Sequence, residues 1–322
     1  MNQFFIQSAF NVLKNGLQVK ENEQVLIVAD DQQQSSLVDA FVTAGSLLGA
    51  KVGKLVYPAV PQQNKEPMGF VGESLKAVEA AVVLPKVSIT HVEAIRQARK
   101  HGTRFLVCSG LDERMMTGAV NADYQKMSQL TNRFVQLFEA ADQVRVTCPN
   151  GTDVTFSVRG RATMAVDGIC TEAGAWNFAP AGTTATAPLE GTTNGTIVFD
   201  GSLAPFGVVD EPVRLTVKDG LIREIAGGRT AADFAELLQS YEDPNVYNIA
   251  EMGIGTNEKA ELSGKLIEDE RILGAFHFGI GKSLNIGGEV DAPFHTDGMI
   301  MKPSVYVDGK LVVEAGKILY GE

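Results

Sequence analysis

The sequence predicts two domains of different class: an N-terminal doubly wound α/β domain over residues 1–142, and a C-terminal domain over 143–322 that is mostly antiparallel β and barrel-like. Three observations predict this. In the first half, short apolar β-branched runs alternate with helical periodicities of about 10–15 residues, the pattern of βαβ crossovers and a sheet covered on both faces. After residue 142 the helical patterns thin out, and alternating strands joined by Asn-Gly or Asp-Gly turns take over. Finally, 322 residues with 44% hydrophobic and 21% charged side chains are more than a single core commonly holds.

Taken in order, the chain opens with a helix whose apolar face is Phe5, Ala9, Val12 and Leu13. The strand QVLIVAD follows, ending at Asp30, then a helix over Gln34–Leu48 and a strand over Lys51–Tyr57. Next come the strand AAVVL, a helix over Thr90–Lys100 and the strand RFLVCS ending at Ser109. A long helix, Asp123–Ala141, carries Met127, Leu130, Phe134, Leu137 and Phe138 at helical spacing and closes the domain with a core-facing stripe. The boundary falls at Ala140–Gln143. Beyond it, VRVTCPNGTDVTFSV reads as a hairpin turning at Pro149-Asn150-Gly151. GTIVFDG, RLTVKDGLIREI and SVYVDGKLVVEAGKIL add further strands, with one helix at Thr230–Ser240.

Composition narrows the function. Against 28 Lys+Arg stand 39 Asp+Glu, a net charge of −11, so the basic field that nucleic-acid backbones require is missing. Cys108, Cys148 and Cys170 form no CxxC pair and leave one over after any pairing, which suits a reducing compartment. The first twenty residues lack a basic region and a cleavage pattern, and no apolar run approaches the ~20 residues that span a bilayer. A cytoplasmic protein without membrane or nucleic-acid partners is expected. The turn after QVLIVAD reads DQQQSS rather than GxGxxG, and no GxxxxGK[ST] occurs, so a nucleotide site is not expected. Asp30 and Asp31 end a strand where open α/β sheets bind ligands, although capping the next helix is the plainer use of Asp there.

Chemistry concentrates in the second half. Of four histidines, His277 and His295 fall in GAFHFGIGKSLNIGGEVDAPFHTDG. His295 and Asp297 are two apart, so on a strand both leave one face and can converge on a cation. His277 lies between Phe276 and Phe278 and points opposite to them; with Phe in the core it faces a cavity or solvent. Upstream, Glu251 precedes the Gly-rich IAEMGIGTN stretch. Carboxylates with imidazoles suit Zn²⁺, Mn²⁺, Co²⁺ or Fe²⁺ and leave the choice open. His91 and His101, at the ends of a helix, read as solvated or capping residues.

The stretch AEMGIGTNEKAELSGKLIEDERILGAFHFGIGKSLNIGGEVDAPFHTDG, with EAGAWNFAPAGTTATAPLEGTTNGTIVFDG before it, resembles two related families. These are the thermophilic metallo-aminopeptidases of the T and S type and the iron-dependent 2,5-dihydroxypyridine 5,6-dioxygenases. The resemblance covers roughly residues 165–320. From the aminopeptidases it implies that Glu251, His277, His295 and Asp297 bind metal. Two positions depart: Thr183 stands where the peptidases have a further glutamate, and Leu284 where they have a catalytic tyrosine. From the dioxygenases it implies His295 and Asp297 as ligands, with Glu251 where those enzymes place a first histidine and His277 as an addition. In both families the relatives are dimers, so the resemblance also implies a homodimer.

Two reactions follow as expectations. The retained Glu251 and His277 favour a metal-dependent hydrolase resembling aminopeptidases, cleaving a small amide or short peptide with metal-activated water. Glu251 and His277 are then the catalytic residues, with Glu268, Glu270 and Glu289 as alternative proton shuttles and Thr183 orienting substrate. The alternative is a non-haem iron dioxygenase that cleaves a hydroxylated ring, with Trp176, Phe178, Phe276 and Phe294 as an apolar wall. A third reading is an inactive metal- or ligand-binding relative.

Overall fold

The apolar runs of the first half pair side by side into one parallel sheet. In the computed structural model, which describes residues 2–320, its order is Lys51–Tyr57, Gln24–Asp30, Ala80–Leu84, Arg104–Val107 and Trp176–Phe178. Every ladder in it is parallel. Ala80–Leu84 and Arg104–Val107 are buried throughout, whereas the edge strand Lys51–Tyr57 is largely exposed. Helices Ser35–Leu47, Gly69–Lys76 and Glu93–Lys100 supply the crossovers. Gly69–Lys76 escapes the sequence pattern because Gly69 and Gly72 interrupt its apolar stripe.

The chain divides into two units: Met1–Ser128 with Val166–Ala181, and Gln129–Ala165 with Gly182–Glu322. This corrects the single cut expected at residue 142. Trp176–Phe178 returns to the first unit as its fifth parallel strand, in register with Phe105–Val107, and Phe134 and Phe138 of the long helix belong to the second core. Local turn signals carry no information about such returns. The helix itself runs Tyr124–Ala140, with the Asp123 carboxylate accepting the Gln125 and Lys126 N–H groups at 3.1 Å as its N-terminal cap.

The second unit contains an eight-stranded and a seven-stranded sheet. Residues of both, among them Val146 and Phe156 from one and Met252 and Phe278 from the other, belong to a single core. Its hairpin turns are chemically determined: Asp219-Gly220 and Asp308-Gly309 both have positive φ at each residue, as the two-residue turns that match strand twist require. Helix Arg229–Ser240 gives Phe234 and Leu238 to the same core. Among the described residues no helix is long and apolar enough to cross a membrane.

Candidate metal centre

Three neighbouring strands of the seven-stranded sheet, Ile249–Ile254, Phe276–Gly281 and His295–Ile300, build the site. Their antiparallel register sets Glu251 opposite Gly279 and Gly279 opposite Asp297. It also aligns Gly253, His277 and Met299 in one row, and Gly281 with His295 in another. Residues directly opposite share a face, so Glu251, His277, His295 and Asp297 all emerge on one side. Phe276, Phe278, Ile280, Met252 and Ile254 leave the other side and are core residues. The expectation that His277 points away from its flanking phenylalanines holds.

The rows alternate ligand and glycine for a steric reason. A Cβ on Gly279 would lie 2.5 Å from Glu251 Cβ, 2.8 Å from Asp297 Oδ1 and 3.0 Å from His295 Cε1. One on Gly253 would lie 2.3 Å from His277 Cε1 and 2.0 Å from the Thr184 carbonyl oxygen. The bare backbone at these two positions is the floor over which the polar side chains converge.

Single oxygen or nitrogen atoms of Glu251, His295 and Asp297 lie within 4.8 Å of one another, the one such group among the described residues. His295 Nε2 is 3.3 Å from Glu251 Oε2 and 3.5 Å from Asp297 Oδ2. His277 Nε2 is 3.4 Å from the other Glu251 oxygen, Oε1. His295 Nδ1 lies 2.7 Å from the Lys282 carbonyl, an acceptor only, so Nδ1 carries a proton and Nε2 is the atom that faces the carboxylates, donating to them in the metal-free protein and giving its lone pair to an ion that displaces that proton. Burial raises a carboxyl pKa, but hydrogen bonds from His277 and His295 outweigh it and hold Glu251 at about 2. Burial likewise opposes protonation of both imidazoles, and the facing carboxylates overcome it, raising His277 and taking His295 well above its usual value.

The donor set fits a divalent ion. Two buried polar atoms, Asp297 Oδ1 and His277 Nδ1, have no hydrogen-bond partner; such atoms are uncommon in folded proteins and mark a site made for something else. Two carboxylates and an imidazole also neutralise a +2 charge with the oxygen and nitrogen donors that such ions accept.

A model of the family described as NicX, 2,5-dihydroxypyridine 5,6-dioxygenase, matches residues 6–320. The chain belongs to this family. A curated 2,5-dihydroxypyridine 5,6-dioxygenase from Pseudomonas putida is 25% identical over 328 residues, covering 94% of this chain and 93% of that protein. The solved 2,5-dihydroxypyridine dioxygenase of Pseudomonas putida KT2440 superposes with a TM-score of 0.83 at 23% identity, over 99% of this chain and 97% of that one. Wild-type AmpT from Thermus thermophilus gives 0.74 at 14% identity, over 98% and 99%. Both likenesses show the fold, and a divalent metal cofactor is consistent with NicX membership and with the cluster.

NicX membership overturns the expected aminopeptidase-like hydrolase, and with it the metalloprotease reading. The local structure gives a physical reason. Thr183, where a second carboxylate would be needed, is 1% exposed and its hydroxyl donates to the Ile254 and Thr184 carbonyls at 3.1 and 3.3 Å. Leu284 is an exposed apolar side chain.

Of the aromatic residues expected as a wall, Phe276 lies in the core behind the ligands and does not face the site. Phe294 packs at the core's margin with its ring 5.0 Å from that of Tyr241. Trp176 belongs to the first unit, between Arg99 at 5.2 Å, Phe178 at 5.1 Å and His91 at 5.8 Å. Of the alternative bases, Glu268 is buried and accepts the Glu261 N–H, while Glu289 is exposed. Glu270 is ion-paired with Arg271, and burial raises its carboxyl to about 7.

Proposed function

We propose that this chain is an iron-dependent dioxygenase that opens a dihydroxylated pyridine or a similarly electron-rich hydroxylated ring, with Glu251, His295 and Asp297 holding the ion. The single observation carrying the reading is the convergence of these three side chains on one glycine-floored face, in a chain whose family is named for that reaction. When bound, Fe²⁺ supplies the redox chemistry with O₂ and open positions for a ring hydroxyl.

The protein's own groups prepare that site. His277, fully buried, holds one Glu251 oxygen and leaves the other turned toward His295. The Lys282 carbonyl holds the His295 ring in its tautomer. Phe276 and Phe278 close the sheet's far face to water, while 33% of the His295 side chain remains open to solvent. Access is therefore from the histidine side.

The partner is a small molecule, and the assembly we propose is a cytoplasmic homodimer, whose sedimentation would correspond to twice the 34.5 kDa chain. Protein loaded with Fe²⁺ without air and then given O₂ and 2,5-dihydroxypyridine is expected to consume O₂ as ring absorbance disappears. Aminoacyl anilides are expected to stay intact. Amine release from the anilides without O₂ uptake on the pyridine would refute the reading.

A further inference from the structure

The loop that joins two of the ligand strands runs from Lys282 to Phe294, and its ends meet where the Lys282 N–H donates to the Phe294 carbonyl at 2.8 Å. Its first residue is the one whose carbonyl orients His295. Inside the loop, the Ser283 N–H donates to Val290 at 2.9 Å and the Gly288 N–H to Ser283 at 3.0 Å, so the tip is coupled to the residue next to Lys282.

The tip is gripped from outside. Arg161 donates from Nη1 to the Gly287 carbonyl at 2.7 Å and from Nη2 to the Glu190 carboxylate. Glu190 Oε1 accepts the Glu289 N–H at 2.8 Å. The two side chains are 11% and 28% exposed. One ion pair thus holds a carbonyl and an amide two residues apart, and a planar guanidinium serves its two partners from separate nitrogens held in a fixed fork, where an ammonium would have to reach both from one nitrogen. A second outside tether, Asn245 to the Asp291 carbonyl at 2.9 Å, sits nearer the closing end.

We propose that Arg161 and Glu190 form a positioning clamp: by fixing residues 287 and 289 they hold the loop in the shape that lets Lys282 orient His295, and so set how tightly the centre grips its ion. The inference rests on the reading of Glu251, His295 and Asp297 as ligands. Neither clamp residue touches the ion or the reacting atoms.

The test uses Co²⁺ as probe on the full chain, reading affinity by chelator competition and coordination by the visible spectrum, with amide exchange over the loop as a metal-free measurement. Arg161→Gln is expected to weaken Co²⁺ binding about tenfold, the low end of what loss of ligand-orienting groups costs. The band intensities are expected to change and exchange at 283–290 to accelerate. Arg161→Lys is expected to recover part of the affinity. Arg145→Gln, which breaks the exposed pair with Asp153 in the same unit, is expected to bind as the parent does. Glu190→Gln preserves shape and gives the same reading if Arg161→Gln fails to fold. Parent-like affinity and spectrum in folded Arg161→Gln or Glu190→Gln would overturn the clamp alone. A parent that binds no Co²⁺ would overturn the ligand assignment and the clamp with it.

Discussion

Replacing Gly279 by alanine tests the centre without removing any ligand. The new methyl would meet Glu251 Cβ at 2.5 Å, Asp297 Oδ1 at 2.8 Å and His295 Cε1 at 3.0 Å. Comfortable contacts between such atoms are about 3.5–4.0 Å, so each neighbour must retreat by roughly 0.5–1 Å. Glu251 Cβ is fixed to its backbone and cannot swing aside, whereas ligand distances in a working site hold to about 0.2 Å. The displacement exceeds that tolerance several-fold. Metal affinity should fall at least about 100-fold, or about 2.7 kcal/mol, while overpacking destabilises the fold by only about 1–3 kcal/mol. The assay is thermal unfolding with and without Co²⁺ or Fe²⁺. At a metal concentration 100 times its Kd the parent gains about 2.7 kcal/mol, and the variant should gain about 0.4 kcal/mol or less. Gly69→Ala, where an added Cβ meets nothing within 4 Å, is the control and should keep the full shift. Undiminished metal-induced stabilisation in Gly279→Ala would refute the idea that the bare backbone exists to let these three side chains converge.

Removing a ligand should be more drastic: His295→Ala is expected to purify and dialyse free of metal, and elemental analysis showing full occupancy would reject the assignment. Stability of the metal-free protein should depend on pH in a defined direction. The contribution of Glu251, folded at about 2 against an ordinary 4.5, is complete above about 4.5 and lost as pH falls toward 2. Those of His277 and His295, raised above 6.5, are complete below about 6.5 and lost as pH rises through the raised values. Unfolding temperature in a chelator should therefore decline on the alkaline side, while metal affinity rises over the same range because the ion competes with protons for the same atoms; a flat chelated profile above pH 6.5 contradicts this. In the first unit, Arg104→Ala leaves the Glu23 carboxylate without its bidentate partner at 2.7 and 2.8 Å in a site where both side chains are at most 10% exposed. Urea unfolding should show a loss of about 3–5 kcal/mol, and a loss below 1 kcal/mol would mean the pair is solvated.

The elements of the first unit are legible because each is decided locally. QVLIVAD and AAVVL are too apolar to stand anywhere but inside a sheet, and Asp123, where the sequence reading starts the long helix, is its cap, with Tyr124 the first helical residue. What local chemistry cannot convey is pairing between distant segments. EAGAWNF falls in the half that reads as β-rich, yet Trp176 aligns with Phe105 and carries its segment back to the parallel sheet. The aromatic residues make the same point: the partners of Trp176 and Phe294, Arg99 in one unit and Tyr241 in the other, follow from pairings that no local pattern conveys.

At the centre, His295 and Asp297 were readable from their spacing and His277 from its flanking phenylalanines, but the place of Glu251 beside them follows from register, which pairs it with Gly279. A signal for that register does lie in the sequence. EMGIG and HFGIG alternate a large apolar residue with either a glycine or a ligand, so on pairing one face of the sheet becomes continuous core and the other is stripped to backbone with ligands standing on it. A strand that only needed to fold would gain from side chains on both faces, since each interior glycine costs conformational entropy and offers nothing to pack. Two adjacent strands carrying the same vacant alternation therefore imply a face reserved for another group. The clash distances at Gly253 and Gly279 measure how little room that reservation leaves: a Cβ on Gly279 meets only side chains of the centre, and one on Gly253 collides with the Thr184 carbonyl and the His277 ring together.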